Sequence, residues 1–198
     1  MNINIDNKQK FLSDSIPYFK KYGVSLSSVE KVSLELYDDI NYHTKLFSNL
    51  RDLLDFYFLV EGNKFSSKLL QIKVTKSDKI SDLVFQAVML KLDLVDKKLL
   101  EQIIKYLSTN FTSHNVALDS LYRSSDIIWS WLGSNNIDFS YYSKRISLSI
   151  VISSTIVYSL AFKTDEDLKR FLKIQLKSFS SVGRLKNKVC SFFDNLNV

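Results

Sequence analysis

The scarcity of chain-breaking residues constrains this sequence more than any other feature. Its 198 residues include four glycines and one proline, about 2% and 0.5% of the chain against ordinary usage near 7% and 5%. The glycines, Gly23, Gly62, Gly133 and Gly183, are widely separated. No Gly-rich phosphate cradle can be assembled from them, neither a Walker A loop nor a dinucleotide-binding GxGxxG. Sandwiches and barrels need many Gly, Pro and Asn turns, whereas helices need only an occasional stop signal. The sequence therefore predicts an all-α fold, and its 45% hydrophobic residues are enough to build a core for one.

One cysteine, Cys190, and two histidines, His43 and His114, cannot supply a Cys/His zinc site, a disulfide framework or a CxxC redox pair. The 21 acidic residues leave a carboxylate-only metal site formally open, yet no Glu-x-x-His pair occurs, and Glu101 begins only Glu-Gln-Ile-Ile. Cys190 lies beside Val189 and Phe192 with no activating group in view. No nucleophile, base and orienter set is visible, so the expectation is a protein without catalytic residues, metal or cofactor.

The net charge of +6 is unevenly spread. Residues 1–60 carry seven basic and eight acidic side chains, a net −1, while residues 61–162 carry twelve against nine and residues 163–198 eight against four. The opening MNINIDNKQK has neither an apolar signal region nor an Arg-rich amphipathic pattern. That predicts a bacterial cytoplasmic protein rather than one imported into a mitochondrial matrix.

Apolar spacing predicts a short helix over 8–22 interrupted at Pro17, a helix over Val24 to Tyr37, a short one over Asn41 to Phe47, and an amphipathic stretch from Leu50 to Val60. Longer helices follow over roughly 64–75, 78–93, 96–108, 113–132, 138–162 and 165–196. Their candidate N-caps are Ser77 or Asp78, Asp96, Ser113, Asp138 and Thr164. This divides the chain into a helix-turn-helix-like part (1–60), a helical core (61–164) and a C-terminal helix (165–198), with only a soft boundary near residue 60 in one continuous body. The run Ile146 to Phe162 has 17 residues without a charge. As a helix it would span about 26 Å, short of the ~30 Å hydrocarbon core, and five serines and a threonine interrupt it. It reads as a helix buried in the protein.

The densest cluster of informative residues is Asp126 to Arg145, DIIWSWLGSNNIDFSYYSKR. Gly133 can end one helix and Asp138 can cap the next. Capping does not account for Tyr141 and Tyr142 followed by Lys144 and Arg145 in the first turns of a helix, where the macrodipole favours acids. Tyr and Arg are also enriched at binding hot spots.

These residues resemble the signature of the ubiquinone (coenzyme Q) biosynthesis accessory proteins often called Coq nine, helical lipid-binding proteins with a TetR-like fold. Asp126, Trp129, Gly133, Asp138, Phe139, Tyr142, Lys144 and Arg145 match it in register, and Leu148, Val151, Ser154 and Thr155 continue the likeness. Phe47-x-x-x-Arg51-Asp52-Leu53-Leu54 extends it weakly toward the N-terminus. The sequence departs at Ser134 for Asp, Asn136-Ile137 for a Thr-Ser-like pair, Ser140 for Asn and Tyr141 for Trp. The resemblance implies a TetR-like helical bundle with a vestigial N-terminal helix-turn-helix and a basic amphipathic C-terminal helix. It further implies a non-catalytic protein that binds an isoprenoid quinone or other prenyl lipid and presents it to the di-iron demethoxyubiquinone hydroxylase at a membrane surface. By the same likeness Asp138, Tyr141, Tyr142, Lys144 and Arg145 inherit the partner contact, and Trp129, Leu148, Val151, Ile152 and Thr155 the lipid contact. No nucleic acid is implied, and a homodimer is left open. The protein would then sit at the cytoplasmic side of a bacterial inner membrane.

A polyprenyl tail gains about 0.8 kcal/mol per CH₂ on leaving water, so a carrier must offer it a space about as apolar as the bilayer. From Asp167 onward, Leu168, Phe171, Leu172, Leu176 and Phe179 share one helical face, with Lys169, Arg170, Lys173 and Lys177 around the other. Basic amphipathic helices of this kind lie on anionic membranes, which marks Phe171, Phe179, Lys173 and Lys177 as candidate membrane contacts; a solvated outer helix is the alternative. A DNA-binding TetR-like regulator is the competing functional reading. It meets the obstacle that DNA binding depends on neutralising phosphates, whereas residues 1–60 are net acidic, with Asp38-Asp39 just before the would-be recognition helix.

Overall fold

A computed structural model describes residues 3–75, 77–133, 139–161 and 164–178. The described chain is built of helices and contains no strand: α1 (Ile3–Tyr22), α2 (Leu26–Tyr37), α3 (Leu50–Leu69), α4 (Ile80–Leu94), α5 (Lys97–Thr109), α6 (His114–Trp131), α7 (Phe139–Ala161) and a further helix over 165–178. Short 3-10 turns occupy Tyr42–Lys45 and Phe111–Ser113. Among the described residues no helix is long and apolar enough to cross a membrane.

Three local expectations are corrected, each by packing. Pro17 lies inside α1 rather than breaking it; Phe11, Leu12 and Phe19 are buried on both sides of it in the same core, and they hold the helix through the missing donor. The expected gap after Val60 is absent, because α3 runs through a buried Gly62 between the buried Phe58 and Phe65. The soft boundary near residue 60 thus lies within a helix. The Asn41 to Phe47 segment forms a single 3-10 turn rather than an α-helix. Tyr42 stacks on Tyr37 at 4.1 Å, and the buried His43 ring places Nδ1 3.2 Å from the Ile40 carbonyl, which pins the segment by its side chains.

The chain divides into two compact units. One takes the chain up to Ser67 together with Leu94–Arg123. Its core gathers Phe11 and Phe19 of α1, Val29 and Val32 of α2, Leu53 and Leu54 of α3, and Leu99 and Ile103 of α5. The Phe47 to Leu54 likeness has a packing basis here: Phe47, Leu53 and Leu54 are core, and Arg51 donates to the Thr112 carbonyl at 3.3 Å. His43 and His114 are held by the fold, with His114 Nε2 2.6 Å from the Leu107 carbonyl. Tyr37 titrates above its ordinary range, because burial and a hydrogen bond to Asp14 both disfavour the phenolate.

Asp96 caps α5 as expected, accepting from the Leu99 N–H at 3.1 Å, and it pairs with Lys20 of α1. Partial burial pushes its carboxyl up, but the Lys20 hydrogen bond and the Leu99 amide outweigh that and hold it below the usual range. A carboxyl depressed in the folded state stabilises above its unfolded value, near 3.9, and that contribution disappears as pH falls through the folded value. Asp96→Ala is therefore expected to cost about 1 kcal/mol at neutral pH and progressively less as pH falls below about 4. Asp96→Asn, which keeps an acceptor, should cost less. Urea unfolding of the three proteins between neutral and acid pH reads both effects.

The other unit takes Lys68–Asp93 and the chain from Ser124 on. Leu83, Val84, Ala87 and Val88 of α4, Ile128 of α6 and Leu148 and Ile152 of α7 are buried in it. The helix over 165–178 starts on a cap: Thr164 Oγ1 bonds the Asp167 carboxylate and receives the Asp167 N–H. Leu168 and Leu172 are its buried residues.

Candidate functional site

The site assembles where α6 ends and α7 begins. Gly133 follows α6 with φ +77, the left-handed conformation that favours glycine, and its N–H bonds the Ser130 carbonyl at 3.0 Å. A Cβ there would meet nothing within 4 Å, so the backbone angle alone demands the glycine. Asp138 lies outside the described residues.

Arg145, two turns into α7, is completely buried. Its Nε donates to Asp126 Oδ1 at 2.5 Å, its Nη1 to the Tyr141 carbonyl at 3.3 Å, and its guanidinium lies 3.3 Å from the centre of the Tyr141 ring. Tyr141 in turn donates its hydroxyl to the same Asp126 oxygen at 3.3 Å. One carboxylate of α6 therefore holds both a cation and a phenol of α7. Two further bonds tie the helices: Ser125 Oγ to the Arg145 carbonyl at 2.6 Å and Trp129 Nε1 to the Lys144 carbonyl at 3.3 Å. The Lys144 ammonium sits 5.6 Å from the Trp129 ring centre, a cation–π distance.

This geometry separates residues that the sequence had grouped. Arg145 and Tyr141 turn inward and brace the corner. Tyr142 is exposed, packing edge-on to Tyr141 at 5.1 Å, and Lys144 is half-buried. Spacing hid the division, because Asp126 and Arg145 are 19 residues apart and only the fold reveals them as a pair.

Trp129, Leu148, Val151, Ile152 and Thr155, the residues marked for lipid contact, are all buried. On α7 they form the inner stripe. The outer stripe is the unexpected feature: Ile146, Ile150 and Val157 are 53%, 63% and 58% exposed, in line with Tyr142 at helical spacing. The chargeless run is therefore buried on one face only. Four of its six serine and threonine hydroxyls are occupied locally: Ser149, Ser154, Thr155 and Ser159 each donate to a carbonyl three or four residues back. The sequence held no signal for the open face, because an apolar run does not say how many of its sides are covered.

In the helix over 165–178, Phe171 stacks on Tyr158 of α7 at 4.2 Å, and the Lys173 ammonium lies 5.6 Å from the Phe85 ring centre. Phe171 is thus engaged within its own unit. Lys169, Arg170, Lys173, Ile174 and Lys177 form the exposed face. Phe179 lies outside the described residues.

A helical protein of TetR-like fold is what this architecture defines. A solved structure from Mesorhizobium loti MAFF303099, described as a TetR-family transcriptional regulator, aligns over 92% of this chain and 98% of its own length, with a TM-score of 0.58 and 11% sequence identity. In sequence, residues 114–183 match the model of the COQ9 family, a family linked to ubiquinone biosynthesis. The match contains the whole corner from Asp126 to Arg145 and the helix over 165–178. No curated protein matches the sequence significantly.

Proposed function

We propose that this chain is a lipid-binding accessory protein of ubiquinone biosynthesis. In this reading it holds a prenylated quinone intermediate and offers it to the di-iron hydroxylase at the membrane. The observation that carries the reading is the exposed apolar stripe Tyr142, Ile146, Ile150 and Val157, which continues directly from the braced corner inside the COQ9 match. Contiguous exposed apolar surface of this kind marks an interaction site, and a chargeless helix face suits a prenyl chain or an apolar partner. Protein purified from membranes is expected to yield an isoprenoid quinone or another prenyl lipid by native mass spectrometry, and protein free of any prenyl lipid would refute carriage. Tyr142→Ala is expected to weaken hydroxylase association about tenfold, as loss of an exposed aromatic anchor would, without lowering helix content. Equal association would remove Tyr142 from the interface.

The TetR-like fold also favours a DNA-binding reading, which the N-terminal part of the chain opposes. A four-residue 3-10 turn stands where a recognition helix would lie, whereas major-groove reading uses an α-helix with several base-contacting side chains. Lys45, its one lysine, is bonded to Asp39 at 2.8 Å. A salt-dependent shift with duplex DNA at physiological ionic strength would reverse the ranking.

A further inference from the structure

Leu70 is 73% exposed, more than any other large apolar side chain described. It opens the loop between α3 and α4, in which Val74 is 49% exposed, and Ile80, at the start of α4, is 60% exposed. The same stretch is basic: between positions 68 and 80 the sequence sets Lys68, Lys73, Lys76 and Lys79 against the single acid Asp78. Lys68, Lys73 and Lys79 are exposed, and none forms an ion pair with a described residue.

Four amides of the loop are bonded within it. The Gln71 and Ile72 amides donate to the Lys68 and Leu69 carbonyls at 3.2 and 3.1 Å, and the Asp78 amide donates to the Thr75 carbonyl at 3.1 Å. The Asp78 carboxylate accepts from the Thr75 amide at 2.8 Å, so the one negative group is turned onto the loop itself. Single exposed apolar residues are ordinary. Three of them interleaved with lysines on one short loop are the composition of an interfacial anchor. Apolar side chains can enter the headgroup and acyl boundary while long ammonium side chains stay at the phosphates.

We propose that the α3–α4 loop docks the protein on an anionic lipid bilayer, with Leu70, Val74 and Ile80 entering the interface and Lys68, Lys73 and Lys79 lying against lipid phosphates. The loop is distinct in sequence from the basic face of the 165–178 helix. The contact rests on the lipid-carrier reading for its purpose only, since the chemistry is that of the loop.

The test uses the full chain and sedimentation with vesicles of phosphatidylcholine alone or mixed with phosphatidylglycerol. Binding is expected to the mixed vesicles and to decline with added salt. At about 1 kcal/mol per lysine near such a surface, about fivefold each, Lys73→Gln with Lys79→Gln should weaken binding about 25-fold. Leu70→Ser with Val74→Ser should weaken it about tenfold or more. Both variants should keep the circular dichroism of the parent. Loop variants that bind like the parent overturn the proposal, as does a parent that ignores anionic vesicles. So does a loss of binding caused only by Lys169→Gln with Arg170→Gln on the helix. Prenyl-lipid content of the same preparations is scored separately: a lipid-free protein that still docks through the loop refutes carriage and leaves docking standing.

Discussion

Asp126→Ala is expected to cost about 3–5 kcal/mol of folding stability, the range for removing one partner of a buried ion pair, and Arg145→Ala clearly less, about 2–3 kcal/mol. The asymmetry follows from exposure. The Asp126 side chain is 39% exposed and the Arg145 side chain not at all. Without Arg145, the carboxylate can be solvated, and the loss is mainly packing against Tyr141. Without Asp126, a completely buried guanidinium loses its carboxylate at 2.5 Å and keeps the Tyr141 carbonyl, a neutral acceptor, at 3.3 Å. Arg145→Lys should not restore the parent, because an ammonium cannot bond Asp126 and lie flat on the Tyr141 ring together. Guanidinium chloride unfolding of the three variants reads the order directly. If Arg145→Ala proved neutral for folding yet abolished hydroxylase binding, the side chain would belong to the partner surface and not to the brace.

Two substitutions on α7, only two residues apart, are expected to have opposite effects. Ile152→Ala empties a fully buried position and should cost about 2–5 kcal/mol. Ile150→Gln, on the exposed stripe, should change stability by no more than about 0.5 kcal/mol. Combined with Ile146→Gln, it should nevertheless, under the proposed function, lower association with the proposed hydroxylase partner, or the amount of bound prenyl lipid, by about tenfold. Thermal unfolding alongside a binding assay separates the two faces. An Ile150→Gln protein as unstable as Ile152→Ala would mean that the outer stripe is covered.

The fold class was legible because glycine and proline scarcity leaves few architectures, and apolar spacing located the helices over Leu26–Tyr37, Lys97–Thr109 and His114–Trp131 closely. Asp96 and Thr164 were legible as caps because an N-cap is a local bond, made to an amide two or three residues on. Pro17 misled for the complementary reason. Its local penalty is about 3 kcal/mol, and Phe11 and Phe19, buried on either side of it, outweigh that penalty in a way no short window reveals. At the site, the motif drew attention to the right residues but not to their directions. Tyr141 and Tyr142 are adjacent in sequence, yet one hydroxyl reaches back to Asp126 while the other side chain faces outward. That distinction depends on how α6 and α7 meet, which the resemblance could not supply.

The serines and threonine of α7 make its greasiness conditional. In an extended chain, Ser149, Ser154, Thr155 and Ser159 offer free hydroxyls to water, and the run is too polar and too short to be taken for a membrane span. Once the helix forms, those hydroxyls close onto carbonyls of their own preceding turn, and the surface left outside belongs to Ile146, Ile150 and Val157. How apolar a face α7 shows outward is thus decided by the fold, which directs Ile146, Ile150 and Val157 outward, and not by the composition of the run alone.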